Sequence, residues 1–278
     1  MSVNLASKYA SKLDQLFAKG SYTDAAVNQN YDFDGVRTVN VYTVTTTDLV
    51  DYNRESTGDR FGGNNEIQDT VASYTLANDK AFKLVIDRGN YEQQALAKKA
   101  GEVLRAQMDE RVIPAIDVDR IAAGAAGATA VSHAVSAGDN VYEDFMKAVA
   151  YLDEAKAPVS GRYAFITPQM YVAIKSKIVS TVNANAYNDK LLPRGFVGEL
   201  DGVNIIVVPA SYFPANTKCV IWHKDALLGA KQIMKTRIIT DSELVDGTVL
   251  TGRFIFDSFV LDGKKKAVAS ITSSTISG

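Results

Sequence analysis

The chain has 278 residues, 46% of them hydrophobic and 22% charged, with 30 basic against 32 acidic side chains. That length allows one large domain or two ordinary ones around a sizeable core, and the near-balance of charge excludes the clustered basic excess of a nucleic-acid footprint. The single cysteine, Cys219, excludes an intrachain disulfide, no apolar run approaches the roughly 20 residues of a membrane span, and the N-terminus MSVNLASKYASKL lacks a signal-peptide core.

Residues 2–18 predict a short amphipathic helix, with Leu5, Tyr9, Leu13 and Leu16 at helical spacing and Gly20 as its stop. It packs on its own domain or serves as an arm docked on a neighbouring subunit. Residues 21–36 are polar and turn-rich. Val36–Val44 alternates β-branched and aromatic residues as a strand does. From Thr45 to Thr70 the chain is polar, with three glycines and almost no core-forming residues. A loop this long inside a domain is functional or disordered. Val71–Ile86 is again strand-like, so the region predicts an extended β-hairpin. Its apolar content is too low for it to stand alone, and another copy of the chain is the economical support.

Asn90 to about Ala123 is the organising stretch, with a long helix predicted from Tyr91 to Ile113. Asn90 with Gln93 forms a capping box, and Leu96, Ala97, Ala100, Val103, Leu104 and Met108 share one face. Pro114 is expected to kink or break it, because it removes the bond to the carbonyl of Glu110. Gly124–Asn140, rich in small residues, predicts a hinge or linker. A second capped helix follows, with Val141, Phe145, Val149 and Leu152 on its apolar face. Arg162–Ile166 predicts a strand, and Thr167-Pro168 starts another helix. Phe196–Pro209 predicts two strands about an Asp201-Gly202 turn, and Lys218–Trp222 one more. Asp225–Ala230 is expected to make a helical turn. Ile233–Ile239, Val249–Asp257 and Lys266–Ile271 are the last strand candidates.

Catalytic constellations are missing. There is no P-loop, dinucleotide fingerprint, nucleophile elbow or zinc motif, and neither cofactor nor metal is expected. Cys219 and His223 face the same way on a strand but lie about 13 Å apart, beyond the reach of a thiolate–imidazole pair. Cys219 therefore reads as a small buried apolar residue. His133 reads as solvated. The acidic run Asp109, Glu110, Asp117 and Asp119 reads as a solvated helix end, with divalent-ion binding as the alternative. Lys264, Lys265 and Lys266 read as a hairpin tip.

The order of parts resembles the major capsid protein of tailed bacteriophages, with its Hong Kong 97-like α+β fold. The stretches carrying the resemblance are YLDEAKAPVSGRYAFITPQMYVAI, GFVGELDGVNIIVVPASYFP with KCVIWHKDALLGAKQ, and RFIFDSFVLDGKKKAVA. The resemblance implies an N-terminal arm (1–35), an extended E-loop hairpin (36–88), a peripheral domain with the spine helix (89–126 and 232–278) and an axial domain (127–231). It implies a non-enzymatic shell protein that forms hexamers and pentamers, enclosing double-stranded DNA without sequence-specific binding and without a membrane. Assembly is expected in the host cytoplasm. Separate scaffold and portal proteins are implied partners, with decoration proteins as an option. The arm helix begins at the first residues, so the scaffold is expected to be a separate chain. Asp51–Asp69 holds no lysine, and Lys80 is expected in the hairpin stem, so no lysine–asparagine cross-link is expected. Arg54, Arg60, Phe61 and Glu66 at the hairpin tip, with Leu5 and Tyr9 of the arm, are the candidate assembly contacts. An encapsulin-like nanocompartment and a soluble cytoplasmic α/β enzyme are the alternatives. In this scheme Pro114 helps set the bend between the peripheral and axial domains.

Overall fold

In the computed structural model the organising helix runs on through the proline expected to break it. The described residues are 20–31, 37–44, 46–62, 66, 69–87, 100–132, 141–181, 198–240 and 246–272. The predicted arm helix, the Asn90 capping box and His133 lie outside them. Within them, the strands preceding the helix are β1 (Thr38–Val44), β2 (Asp69–Thr75) and β3 (Asn78–Asp87). The helix itself is α1 (Ala100–Gln107), a π turn (Met108–Val112) and α2 (Ile113–Gly127). The backbone N–H of Ile113 donates to the carbonyl of Met108. This wider turn ends where Pro114 enters the first turn of α2. There a missing N–H costs nothing and the fixed φ suits the helix.

The chain continues through β4 (Thr129–Ser132), α3 (Val141–Glu154), β5 (Arg162–Ile166), α4 (Pro168–Thr181), β6 (Glu199–Leu200) and β7 (Val203–Val207). It ends with β8 (Thr217–His223), β9 (Leu227–Ile239), β10 (Gly247–Val260) and β11 (Val268–Thr272). Gly124, expected in a linker, lies in α2. A Cβ there would stand 3.0 Å from the Trp222 ring, so glycine lets helix and sheet approach. The expected helical turn at Asp225–Ala230 is instead a short turn leading into β9, whose Leu227 and Leu228 are buried on different clusters, a period-2 pattern. The lysines 264–266 sit in a 3-10 turn (Asp262–Ala267) rather than at a hairpin tip. Asp201 and Gly202 turn at φ 50 and 76, as a two-residue hairpin requires.

Three sheets result. β4, β11, β8, β5, β7 and β6 form one of six strands, β3, β10 and β9 one of three, and β1 and β2 a two-stranded ribbon. The expected single hairpin partner at 71–86 is therefore split. β2 pairs with β1, whereas β3 pairs with β10. The break falls at Leu76, which is buried with Leu228, Ile255 and Leu261. That anchor stops the second strand from following the first to its base. Lys80, expected in the hairpin stem, lies on β3 opposite Phe254 instead.

Alternation along the strands accounts for the layering. On β8, Cys219 and Ile221 face α3 and α4 with Ala164, Ile166, Ala269 and Ile271, while Val220 and Trp222 face Ile121 of α2 with Phe165 and Val268. The helical spine thus packs one face of the large sheet, and α3 and α4 pack the other. Its N-terminal half packs the small sheet, where Val112 and Ile116 meet Phe254 and Phe256. Each such buried apolar side chain contributes about 1.5–3 kcal/mol. β9 and β10 are 13 and 14 residues long and span both blocks. β11 brings the chain end back into the large sheet.

Candidate functional site

The ribbon ends in a loop that leaves the core behind. β1 and β2 pair from Thr38↔Thr75 at the base to Val44↔Asp69 at the tip. The loop between them has its own order. The N–H of Asn53 donates to the carbonyl of Arg60 at 3.1 Å. The Asn53 and Asp59 side chains each accept from a backbone N–H two residues on, at 3.0 Å. Such local bonds are what Asn and Asp favour in turns. Gly62 has φ 83, and a Cβ there would meet Val50 at 2.9 Å, so that position requires glycine. The Tyr52 and Phe61 rings meet edge-on at 5.0 Å.

This ordered loop presents apolar side chains to solvent. Leu49 is 102% exposed, Phe61 78%, Val50 62% and Tyr52 48%. Four apolar side chains on one loop of known shape mark an interaction surface. Of the expected contacts, Phe61 belongs to this patch, with its ring against Tyr52. Arg60 is exposed and its Nε donates to the carbonyl of Ser56 at 3.0 Å. Arg54 and Glu66 are exposed. Leu5 and Tyr9 lie outside the described residues. The sequence reading passed over Leu49, Val50 and Tyr52, although apolar residues clustered in an otherwise polar, glycine-bearing stretch are the signal.

A second feature fixes the segment before the ribbon. Buried Asp117 on α2 accepts from the hydroxyls of Ser21 at 2.6 Å and Thr23 at 2.5 Å, and from the N–H of Tyr22 at 2.8 Å. Buried Arg120, one turn on, donates to Thr23 Oγ1 at 2.8 Å and to Asp24 at 2.7 Å. The Asp24 carboxyl is pushed up by burial, yet the hydrogen bond and charge of Arg120, with Lys231, hold it below the usual range. Trp222 Nε1 donates to the carbonyl of Ala26 at 2.7 Å, and Asn28 bridges to β9 through bonds with Leu227 and Gly229. Asp117 is therefore a structural anchor and not a solvated helix end.

Asp119 faces the point where the ribbon crosses onto the small sheet. It accepts from Asn78 Nδ2 at 2.9 Å. Burial raises its carboxyl above the usual range, and the Asp257 carboxylate raises it further, against hydrogen bonds from Ser258 and Asn78. A raised folded-state pKa means that charged Asp119 costs stability above that pKa, and the cost disappears as pH falls toward the unfolded value. Asp119→Asn is expected to raise Tm by roughly 1–3 °C at pH 7, with the gain shrinking toward pH 4; thermal melts of both proteins across that range check the sign.

Cys219 is the small buried residue that the sequence implies. Cys219 is fully buried and its thiol is pushed up by burial, away from the thiolate a nucleophile needs. His223 Nε2 lies 2.9 Å from the carbonyl of Ser160. Among the described residues no group of three or more His, Cys, Asp or Glu side chains is placed to hold a metal.

The family model for "Phage capsid protein" matches residues 84–271. No curated protein matches the sequence. Among solved structures, the chain is similar to one from Mycobacterium phage Che8, at 18% identity and TM-score 0.72 over 98% of both chains. It is similar to a chain of the capsid of cyanophage P-SCSP1u, at 14% identity and TM-score 0.77 over 98% of this chain and 93% of the other. It is also similar to a chain of the mature capsid of bacteriophage PhiM1, at 10% identity and TM-score 0.75 over 99% of this chain and 93% of the other. The likeness spans the whole α+β architecture, as the resemblance in the sequence implied.

Proposed function

The chain belongs to the phage capsid protein family, and from that premise we propose that the loop of residues 46–62 is the contact by which one copy grips the next. The protein is a major capsid protein: copies build the shell of a phage head, and its place is the virion capsid. Its role is structural, and the family favours the phage shell over an encapsulin-like compartment or a soluble enzyme. The observation that supports the gripping role is the exposure of Leu49, Val50, Tyr52 and Phe61 on a loop ordered by its own hydrogen bonds. Such a patch gains its burial only from a partner.

The finer picture is part of the same reading. The ribbon acts as the extended E-loop. The helical spine with β3, β9 and β10 forms the peripheral part, and the six-stranded sheet with α3 and α4 forms the axial part, which gathers into hexamers and pentamers. Residues 1–35 act as an arm, held at Ser21–Asn28 by Asp117, Arg120 and Trp222. Leu5 and Tyr9 would then dock on a neighbour. Scaffold, portal and decoration proteins are separate partners, assembly takes place in the host cytoplasm, and the enclosed DNA is held without sequence readout. No lysine cross-link joins the copies.

Sedimentation with negative-stain imaging of the purified chain tests this. Closed shells or rings are expected, dissolving to a 30.0 kDa band on a denaturing gel. A chain that stays a compact monomer at every concentration overturns the reading, and a ladder of cross-linked multimers overturns the absence of cross-links.

A further inference from the structure

The ribbon leaves the body of the chain through one short joint. Leu76 fills the core, and its N–H donates to the carbonyl of Arg37 at 2.8 Å, while Arg37 Nη2 donates to the carbonyl of Leu76 at 3.3 Å. The next two residues each rest on a carboxyl group. The Ala77 N–H donates to Asp257 Oδ2 of β10 at 2.8 Å. Asn78 Nδ2 donates to Asp119 Oδ1 of α2 at 2.9 Å. The register agrees, since Asn78 pairs with Phe256, beside Asp257. Two consecutive residues thus tie the root of the ribbon to the small sheet and to the spine at once.

The two carboxyl groups are not equivalent. Asp257 accepts at both oxygens, its Oδ1 taking the N–H of Ser258 at 2.9 Å. Asp119 Oδ2 is buried and, among the described residues, has no hydrogen-bond donor. Burying charge on an oxygen without a donor is costly, whereas a proton on it removes the charge and makes the group a donor itself. Burial and the Asp257 charge raise the Asp119 carboxyl, against Ser258, Asn78 and Arg120. The cations close by have other partners. Arg120, next along the same helix, donates to Thr23 and Asp24, and Lys231 of β9 lies 3.5 Å from Asp24. On β3, beside Asn78, Asp79 accepts two hydrogen bonds from Arg253 and feels the charge of Arg37.

We propose that Asp119 and Asp257 make the root of the ribbon a proton-sensitive joint. With a proton on Asp119 the root is closed. Without it, two carboxylates repel across residues 77–78 and the root opens. The raised folded-state value of Asp119 fixes the direction. The closed root is fully present in the ordinary carboxylate range and is lost as pH rises through the raised value. The only ligand is a proton from solvent, and the moving part is the ribbon, whose angle to the body depends on these bonds. The joint deepens the gripping role and rests on it only for assembly, because it sets how firmly the loop of residues 46–62 is held out.

Hydrogen exchange tests it on the full chain at a concentration below assembly, with labelling times scaled for the chemical rate at each pH. The amides of Leu76 and Ala77 are expected to exchange at least about threefold more slowly at pH 5 than at pH 7.5, with those of β5 and β8 unchanged. Asp119→Asn and Asp119→Ser, neither of which ionises, are expected to lose this dependence, and the asparagine variant to exchange slowly at both pH values. Equal exchange of the parent at the two pH values overturns the joint, as does a dependence that survives in both variants. Slowing spread evenly over β5 and β8 overturns it too, since the effect is then global. Closing of the root by millimolar magnesium at pH 7.5, with no effect of acid, also overturns it and assigns the pair to a cation. If the root behaves as expected while Leu49→Asp with Phe61→Asp still builds shells, the gripping reading falls and the joint stands.

Discussion

Replacing Leu49 and Phe61 together by aspartate is expected to abolish shell formation and leave a folded monomer. Both side chains project fully or largely into solvent, at 102% and 78% exposure, so among the described residues little depends on them beyond the Tyr52–Phe61 ring contact. Burying each against a neighbour is worth about 1.5–3 kcal/mol, and each 1.4 kcal/mol is about tenfold in an association constant. Losing both contacts, and placing two carboxylates in their stead, weakens every joint by about a hundredfold or more. A shell repeats the joint many times, so the loss is felt as failure to close. Analytical ultracentrifugation is expected to show only the slow species, with the melting temperature of the monomer unchanged within about 2 °C. Normal shells from this variant would remove the loop from the assembly contact.

Asp117→Ala is expected to act in the opposite way, damaging the monomer itself. The carboxylate accepts three hydrogen bonds from residues 21–23 and lies 3.9 Å from Arg120, and both Asp117 and Arg120 are 1% exposed. Removing it leaves the guanidinium buried with less compensation, a defect that costs about 3–5 kcal/mol. For a chain of this size that is a fall of roughly 10 °C in Tm. Limited proteolysis is expected to cut near Ser21–Asp24 in the variant well before the parent. Ser21→Ala, which removes one of the three bonds to Asp117 together with the longer ones its Oγ accepts from the N–H groups of Thr23 and Asp24, is expected to cost about 1 kcal/mol. An Asp117→Ala protein that melts with the parent would mean the segment is held by Arg120, Trp222 and Asn28 without it.

The parts of the fold legible in the sequence are those where burial repeats with a simple period. The stripe of Val141, Phe145, Val149 and Leu152, the short apolar runs RYAFI and KCVIW, and the Asp-Gly turn at 201–202 each announce their element, the helix because one face meets one core and the strands because both faces are buried. Legibility fails where a residue serves two neighbours or a distant one. Pro114 looks like a breaker until the π turn before it places the ring in a first turn. The run Val71–Ile86 looks continuous because both its halves are strands, and only Leu76, held by residues more than 150 positions away, divides them. Asp117 looks like surface because its donors lie more than 90 residues upstream. On the exposed loop, the charged and aromatic tip residues Arg54, Arg60 and Phe61 draw attention in the sequence. The flanking Leu49 and Val50 do not, since a lone apolar pair gives no period.

The bonds that hold residues 26 and 28 have a consequence for the order of events in synthesis. Their partners are Trp222, Leu227 and Gly229, so this segment, once it has left the ribosome, waits for one that emerges some 200 residues later. At about 5–20 residues per second that wait lasts roughly 10–40 seconds. The base of the ribbon is completed later still, because Leu76 needs Ile255 and Leu261. Such remote pairings close slowly compared with helical ones. The base of the ribbon that carries the exposed loop is therefore not anchored until residue 261 has been made. Nascent chains crowded on one message thus have a built-in delay before they can join, and the chains that do join are finished ones.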